Sequence, residues 1–182
     1  MASTRQPYAY VHDNPLNATD PMGLYDYTFR ENLGNFGAGG DVTAMDLLTD
    51  NPNGAFPFQV QGDNGNNHIV MGGHYCLHTN VILPLGCDNV HVSQMNATSF
   101  TFTAEAGHIE GEGGTITFST HLDSNCNLTL TQHAHGPDFG WWGGFGLVND
   151  TRKSKARELW ATQGRRLAAE MKADGGKDPY SW

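Results

Sequence analysis

Residues 107–138 read GHIEGEGGTITFSTHLDSNCNLTLTQHAHGPD. Within them, Thr115–His121 and Asn127–His135 each alternate in side-chain character, and the turn Asp123-Ser124-Asn125 separates the two runs. Alternation of this kind predicts two half-buried antiparallel strands that are joined as a hairpin. Glycines on both sides of the hairpin let the chain bend where the strands begin and end.

The two ends of this predicted hairpin carry histidine and carboxylate side chains. Side chains two apart on a strand share a face, so the residues at the entry and the exit can point the same way. A histidine can remove a proton from water near pH 7, and a carboxylate such as Asp138 can orient the ring. Together with a histidine that follows Gly72-Gly73, the candidate catalytic residues are His74, His108, Glu110, Glu112, His133 and His135.

A metal site is a second interpretation of the same residues. His133 and His135 place two imidazoles on one strand face, and His108, Glu110 or Glu112 can complete a zinc site with an open water position. No HExxH or Cys/His signature accompanies them. Metal-free acid–base chemistry is therefore favoured and zinc is an open alternative, as is a site in which these residues only line a cleft or face water.

Charge is distributed unevenly along the chain. Residues 1–150 contain two fixed positive charges, Arg5 and Arg30, against fifteen carboxylates, whereas residues 151–182 contain eight against four. An acidic body of this kind repels phosphates, so nucleic acid is not the expected partner. The basic C-terminal segment can still contact phosphates, or it can be the solvated face of a helix.

The rest of the chain predicts short strands and two helices. Leu33–Gly40 is a glycine-rich connector, and Asp41 can cap a short helix over Val42–Leu48. A long helix is expected from Asp150 or Thr151 to about Lys172. One stripe of that helix holds Ala156, Leu159, Trp160, Leu167 and Met171. The further predicted strands are Tyr25–Phe29, Phe56–Val60, Ile69–Met71, Tyr75–Leu83, Asn89–Gln94 and Phe100–Ala104.

This order of elements resembles the helix-grip fold of the START/polyketide-cyclase (SRPBCC) superfamily, in which a curved antiparallel sheet wraps a long C-terminal helix. The strand pair that contains Phe100-Thr101-Phe102-Thr103 and Ile116-Thr117-Phe118 is also similar to strand pairs of that superfamily. The resemblance implies an α+β fold with an apolar cavity for lipids or other hydrophobic ligands. A jelly roll or another β-sandwich with an added helix is the alternative.

Aromatic residues are concentrated just before the long helix, in the sequence Phe139–Phe145. Tryptophan favours the membrane interface because its ring is partly apolar and partly polar. Trp141, Trp142 and Phe145 are therefore candidates for insertion into a bilayer, which would let a lipid enter the cavity. The other interpretation is that they pack against the start of the helix.

Residues 8–24 read YAYVHDNPLNATDPMGL. They resemble the end of the core repeat of Rhs and YD-repeat proteins, a segment of the type Y-x-Y-V-x-x-N-P-L-N-x-x-D-P-x-G-L that closes an encapsulating β-shell. The resemblance implies that residues 1–24 end such a shell and that self-cleavage follows Leu24 through aspartyl chemistry of Asp20. It also implies that residues 25–182 are a C-terminal toxin domain, delivered into a target cell and neutralised by a cognate immunity protein.

Taken together, these features predict a secreted interbacterial toxin whose domain acts on membrane phospholipid, as a phospholipase that hydrolyses ester bonds. Its expected partners are the immunity protein, the Rhs shell before release and the phospholipid itself. One alternative is a metal-dependent hydrolase or nuclease that uses His133 and His135. Another is a lipid-binding module that disrupts membranes without turnover.

Overall fold

The computed structural model describes residues 24–63, 65–79, 87–106, 108, 112–137 and 147–173. Among them, the helices are α1 (Gly40–Asp50), α2 (Pro52–Ala55) and α3 (Leu147–Ala173). The strands are β1 (Leu24–Asn35), β2 (Gln59–Gly62), β3 (His74–His78), β4 (Asp88–Asn96), β5 (Ser99–Ala104), β6 (Thr115–Leu122) and β7 (Asn127–Pro137).

These strands form one antiparallel sheet in the order β1-β7-β6-β5-β4-β3-β2. The predicted hairpin is confirmed as β6–β7, with Thr115 opposite His135 and Leu122 opposite Leu128. Its turn is closed by Asp123, whose Oδ1 atom accepts hydrogen bonds from the N–H groups of Asn125 and Asn127, at 2.8 and 2.9 Å. The Asn127 side-chain amide donates to Asp123 Oδ2 at 3.0 Å, and this bond, together with the backbone bonds, holds the pKa of the Asp123 carboxyl below its usual value.

The inner face of the sheet, which we define as the face that packs on α3, carries most of the core. Phe118 of β6 contacts Phe56 and Trp160, with ring centroids 5.3 and 5.4 Å apart, and Phe58 also packs edge-on against Trp160. Leu167 and Met171 are buried on the same side of α3 as Trp160, as their stripe predicts. The predicted helix-grip architecture, a curved antiparallel sheet on a long C-terminal helix, is therefore confirmed.

Gly164 lies where α3 approaches the edge strand β1. A Cβ atom at this position would come within 2.6 Å of the Glu31 Cβ atom, which is closer than real Cβ contacts. Glycine costs a helix roughly 1 kcal/mol relative to alanine. Here that cost accompanies close packing of the helix on the strand.

Several predicted boundaries were wrong for reasons of tertiary structure. Ile69–Met71 is not a strand: Ile69 is buried, its N–H donates to the Thr49 carbonyl at 2.8 Å, and a turn at Gly72 follows. The connector predicted over Leu33–Gly40 begins later, because β1 pairs with β7 as far as Asn35 across a bulge.

The strand β2 and the helices α1 and α3 begin at residues other than those predicted. Strand β2 begins only at Gln59, because Phe56 is the C-cap of α2 and pairing with β3 starts at Gln59, opposite His78. Gly39 is the N-cap of α1, and the Asp41 carboxylate accepts a hydrogen bond from the Val42 N–H instead. Helix α3 begins at Leu147, ahead of the predicted capping residues.

One end of the sheet collects most of the predicted functional segments. Strands β3, β5 and β7 end there, and β4, β6 and α3 begin there; we call it the loop end. Cys76 and Cys87 form a disulfide that joins β3 to the residue before β4. The β5–β6 connection, which contains His108, also lies at the loop end.

Candidate functional site

His133 and His135 lie on the outer face of the sheet, opposite α3. The alternate residues of β7 are buried on the inner face, whereas the two histidines are exposed. His133 Nδ1 lies 2.8 Å from the Thr28 hydroxyl, and His135 Nδ1 lies 3.2 Å from an Asp26 carboxylate oxygen. Both partners belong to β1, so the exit of the hairpin faces away from the grip between sheet and helix.

His74 takes part in a denser arrangement at the loop end, also on the outer face. Its Nδ1 atom lies 2.7 Å from Glu105 Oε1, and His91 Nδ1 lies 3.2 Å from the same oxygen without making a hydrogen bond to it. The two imidazole rings are 5.7 Å apart. We call His74, His91 and Glu105 the imidazole–carboxylate cluster; a carboxylate on Nδ1 fixes the ring orientation and leaves Nε2 to act as a base.

Sequence reasoning missed His91 and Glu105. Their proximity depends on the register of the strands, which places His74 opposite His91. Glu105 is held beside them because its N–H donates to the Asn89 carbonyl. The same register extends across the sheet, through Thr103 and Thr115 to His135. Because adjacent strands are about 4.8 Å apart, His91 and His135 are separated by about 14 Å and cannot act on one atom.

His108 occupies a different environment at the loop end. It is half-buried, and its backbone N–H donates to the Glu105 carbonyl at 3.1 Å. Burial lowers the pKa of His108, while the nearby Asp88 carboxylate partly opposes that shift. Asp88 lies two residues before the inward residue Val90 and so shares its face of the sheet, and it accepts a hydrogen bond from the Thr79 hydroxyl at 2.6 Å. The lowered pKa makes His108 a neutral imidazole at pH 7, able to accept a proton.

The other predicted residues divide into two groups. Glu112 is exposed in the turn before β6, and Leu24 is the first residue of β1, paired with Pro137. The remaining ones lie outside the described residues: Asp20, Glu110, Asp138, Trp141, Trp142 and Phe145.

Three buried polar side chains meet inside the grip, between β7 and α3. Gln132 and Gln163 are fully buried, and the Gln132 amide nitrogen donates to the Gln163 amide oxygen at 3.1 Å. Three further atoms have no hydrogen-bond partner among the described residues: Gln132 Oε1, Gln163 Nε2 and Trp160 Nε1. We call these residues the polar trio. A buried polar atom without a partner costs about 1–3 kcal/mol, so a polar group of a bound molecule would be stabilised here.

The described part of the chain offers neither a cluster of metal ligands nor a helix able to span a membrane. It contains no group of three or more His, Cys, Asp or Glu side chains arranged to hold a metal ion. No third ligand for His133 and His135 is thus found within it. Among the described residues, no helix combines the length and the apolar character that crossing a bilayer requires.

Comparison with solved structures identifies the fold. The ginseng major latex-like protein 151 from Panax ginseng superposes with a TM-score of 0.59 at 11% identity, covering 81% of this chain and 97% of its own. The protein Ara h 8.0201 superposes with a TM-score of 0.52 at 10% identity, covering 81% of this chain and 99% of its own. Both are Bet v 1-like proteins of the START/SRPBCC helix-grip fold. At these identities the likeness shows the fold alone.

Sequence comparisons add no closer relative. No protein-family model matches the chain, and no curated protein sequence matches it.

Proposed function

We propose that residues 25–182 are the toxin domain of an Rhs-type protein and that the domain hydrolyses phospholipid esters. The observation that carries the chemistry is His108, a half-buried imidazole with a lowered pKa beside Asp88 at the loop end. The Rhs-like segment 8–24 supports the toxin role, because in that resemblance the domain after Leu24 is the delivered one. Delivery into a target cell, action at its membrane and neutralisation by an immunity protein belong to the same proposal.

The grip between sheet and α3 supports lipid as the substrate. It is filled by Phe56, Phe58 and Phe118 packed around Trp160, so a bound acyl chain would replace contacts that these rings now make with one another. The polar trio lies within the same grip and offers two donors and one acceptor without partners. A polar oxygen of the lipid, apart from the ester that is cleaved, is an acceptor that matches the donors Trp160 Nε1–H and Gln163 Nε2–H.

The proposed step is hydrolysis by an activated water. His108 removes a proton from water, and the resulting hydroxide attacks the ester carbonyl carbon. The bond between that carbon and the glycerol oxygen breaks, and the proton passes from His108 to the leaving oxygen. Asp88 stabilises the imidazolium between these two proton transfers. The products are a fatty acid and a lysophospholipid.

The test uses the full chain and phospholipid vesicles, with mass spectrometry of the lipids. We expect release of fatty acid and lysophospholipid, and a decrease of about a hundredfold or more in His108→Gln and Asp88→Asn, the range that general-base loss produces. His121→Gln is the matched control, because His121 is exposed near the β6–β7 turn, at the other end of the sheet.

Two outcomes would contradict this assignment. If folded His108→Gln releases fatty acid at the wild-type rate, His108 is not the base. Equivalent variants of His74 and Glu105 then test whether the imidazole–carboxylate cluster takes its place. If no lipid product forms with any vesicle composition, the hydrolase proposal is wrong.

A second candidate is a lipid-binding module without turnover, and the polar trio favours it specifically. Its unpartnered atoms provide a reason to bind a lipid that does not depend on any catalytic residue. This candidate predicts vesicle leakage or extraction of lipid that mass spectrometry recovers unchanged. Lipid products that depend on His108 would exclude it.

A further inference from the structure

The fixed positive charges of the described structure are concentrated on one helix. Within residues 24–137 the one Lys or Arg is Arg30, whereas the same part of the chain carries many Asp and Glu residues. Among the side chains of α3 that the structure describes, the exposed cations are Arg157, Arg165, Arg166 and Lys172. The sheet is therefore acidic and the helix that covers it is basic.

These cations lie on the solvent side of α3. Arg157 and Lys172 are fifteen residues apart in the helix, which is about 22 Å at 1.5 Å per residue. Arg165 and Lys172 are two helical turns apart and therefore share one side, while Trp160 and Leu167 are buried on the other. The result is a basic strip along an exposed, convex helix.

Few carboxylates oppose this strip. Among the described side chains of α3, the acids are Glu158 and Glu170, and Glu170 accepts two hydrogen bonds from the Asn51 amide at 3.1 Å. Three of the cations also have structural contacts: the Arg157 guanidinium stacks over Phe29 at 5.2 Å, Arg166 donates to the Phe56 carbonyl at 2.6 Å, and Arg165 donates to the Thr162 hydroxyl at 2.8 Å. The Arg165 bond is exposed and joins two residues of α3, whereas the contacts of Arg157 and Arg166 reach other elements. Arg165 and Lys172 can therefore be changed with the least effect on folding.

We propose that this strip docks the domain onto anionic phospholipid membranes. The inference rests on the lipid-directed function proposed above and adds the class of membrane. A flat anionic surface that meets the exposed side of α3 faces away from the outer face of the sheet, so the carboxylates of that face lie behind the helix, at distances where physiological salt screens them. A nucleic acid bound in a groove would instead need cations on both sides of it.

The experiment is co-sedimentation of the full chain with two kinds of vesicle, phosphatidylcholine alone and phosphatidylcholine mixed with phosphatidylglycerol. We expect binding to the mixed vesicles only, weakening as sodium chloride is added. Because each surface cation contributes about fivefold to such binding, Arg165→Gln with Lys172→Gln should weaken it by about 25-fold. Arg30→Gln, which removes a cation from β1, should bind like the wild type.

The outcomes separate this proposal from the hydrolase. Equal binding by the wild type and a folded double variant would overturn the docking proposal, and so would tighter binding of the chain to duplex DNA or RNA than to mixed vesicles. Hydrolysis of phospholipid dispersed in neutral detergent should be unchanged in the double variant, because no membrane surface is present. If mixed vesicles are bound but no lipid is hydrolysed in either form, docking stands and the hydrolase proposal fails.

Discussion

The histidines of this domain differ in what surrounds them more than in where they fall along the sequence. His133 and His135 are exposed and contact a hydroxyl and a carboxylate of the edge strand β1. His108 has lost much of its contact with water, and only a carboxylate nearby limits the fall in its pKa. A base must be neutral at the working pH and close to its substrate, and His108 meets the first requirement without being fully exposed.

The lowered pKa of His108 predicts a pH dependence of stability. Below the ordinary histidine pKa of 6.5, the unfolded chain binds a proton at this residue that the folded chain does not yet bind. The free energy of unfolding should therefore fall as the pH drops from about 6.5 towards the lower folded pKa, and no such loss should come from His108 above 6.5. Urea denaturation between about pH 5 and pH 7.5 measures this, and His108→Gln should flatten the dependence.

His121→Gln serves as the control in the same titration, because the His121 side chain is exposed to solvent. An unchanged slope in His108→Gln would show that other groups produce the loss of stability in acid.

At the scale of elements, local sequence patterns were sufficient to predict a strand or helix where one of its faces is buried. The alternation in β6 and β7 and the stripe of α3 both correspond to burial in the structure. The same alternation, followed further, would have grouped His133 with Thr131 and separated it from Leu130, and so placed it on the outer face. What alternation does not contain is register between strands, and the imidazole–carboxylate cluster exists only through the pairing of β3 with β4.

Gly164 shows that the packing of α3 on β1 can outweigh the intrinsic helix propensity of a residue. In an exposed helix, Gly→Ala would add about 1 kcal/mol of stability. At Gly164 the new methyl group meets Glu31, and overpacking of this kind costs about 1–3 kcal/mol. We expect Gly164→Ala to lower the melting temperature by a few degrees, as thermal unfolding monitored by circular dichroism would show.

The matched control for that substitution is Ala169→Gly at an exposed position of α3. It should destabilise by about 1 kcal/mol through propensity alone. If Gly164→Ala instead raises the melting temperature, α3 does not pack tightly on β1.

At the scale of the whole molecule, the two surfaces to which we assign functions lie on opposite sides of α3. The inner face and α3 enclose the aromatic residues and the polar trio, and the solvent side of α3 presents the basic strip. In the proposed docking, a lipid would have to pass beside α3 from the membrane to reach the enclosed surface. The acidic sheet, on the far side, contributes solubility and keeps polyanions away.

The polar trio allows the ligand-binding role to be tested through stability. Replacing Gln132 and Gln163 together with leucine removes a buried donor–acceptor pair and two unpartnered atoms, a change that is often neutral or stabilising. The double variant should unfold at the same or a higher temperature than the wild type when no lipid is present.

Added phospholipid in detergent should raise the melting temperature of the wild type in proportion to the logarithm of its concentration, because only the folded state binds it. The double variant should show a much smaller increase, since it lacks the glutamine side chains that would bind a polar oxygen of the lipid. A single Gln132→Leu variant, which leaves Gln163 buried without its partner, should be less stable than both. An equal lipid-induced increase in the wild type and the double variant would show that the polar trio belongs to the core and not to a lipid site.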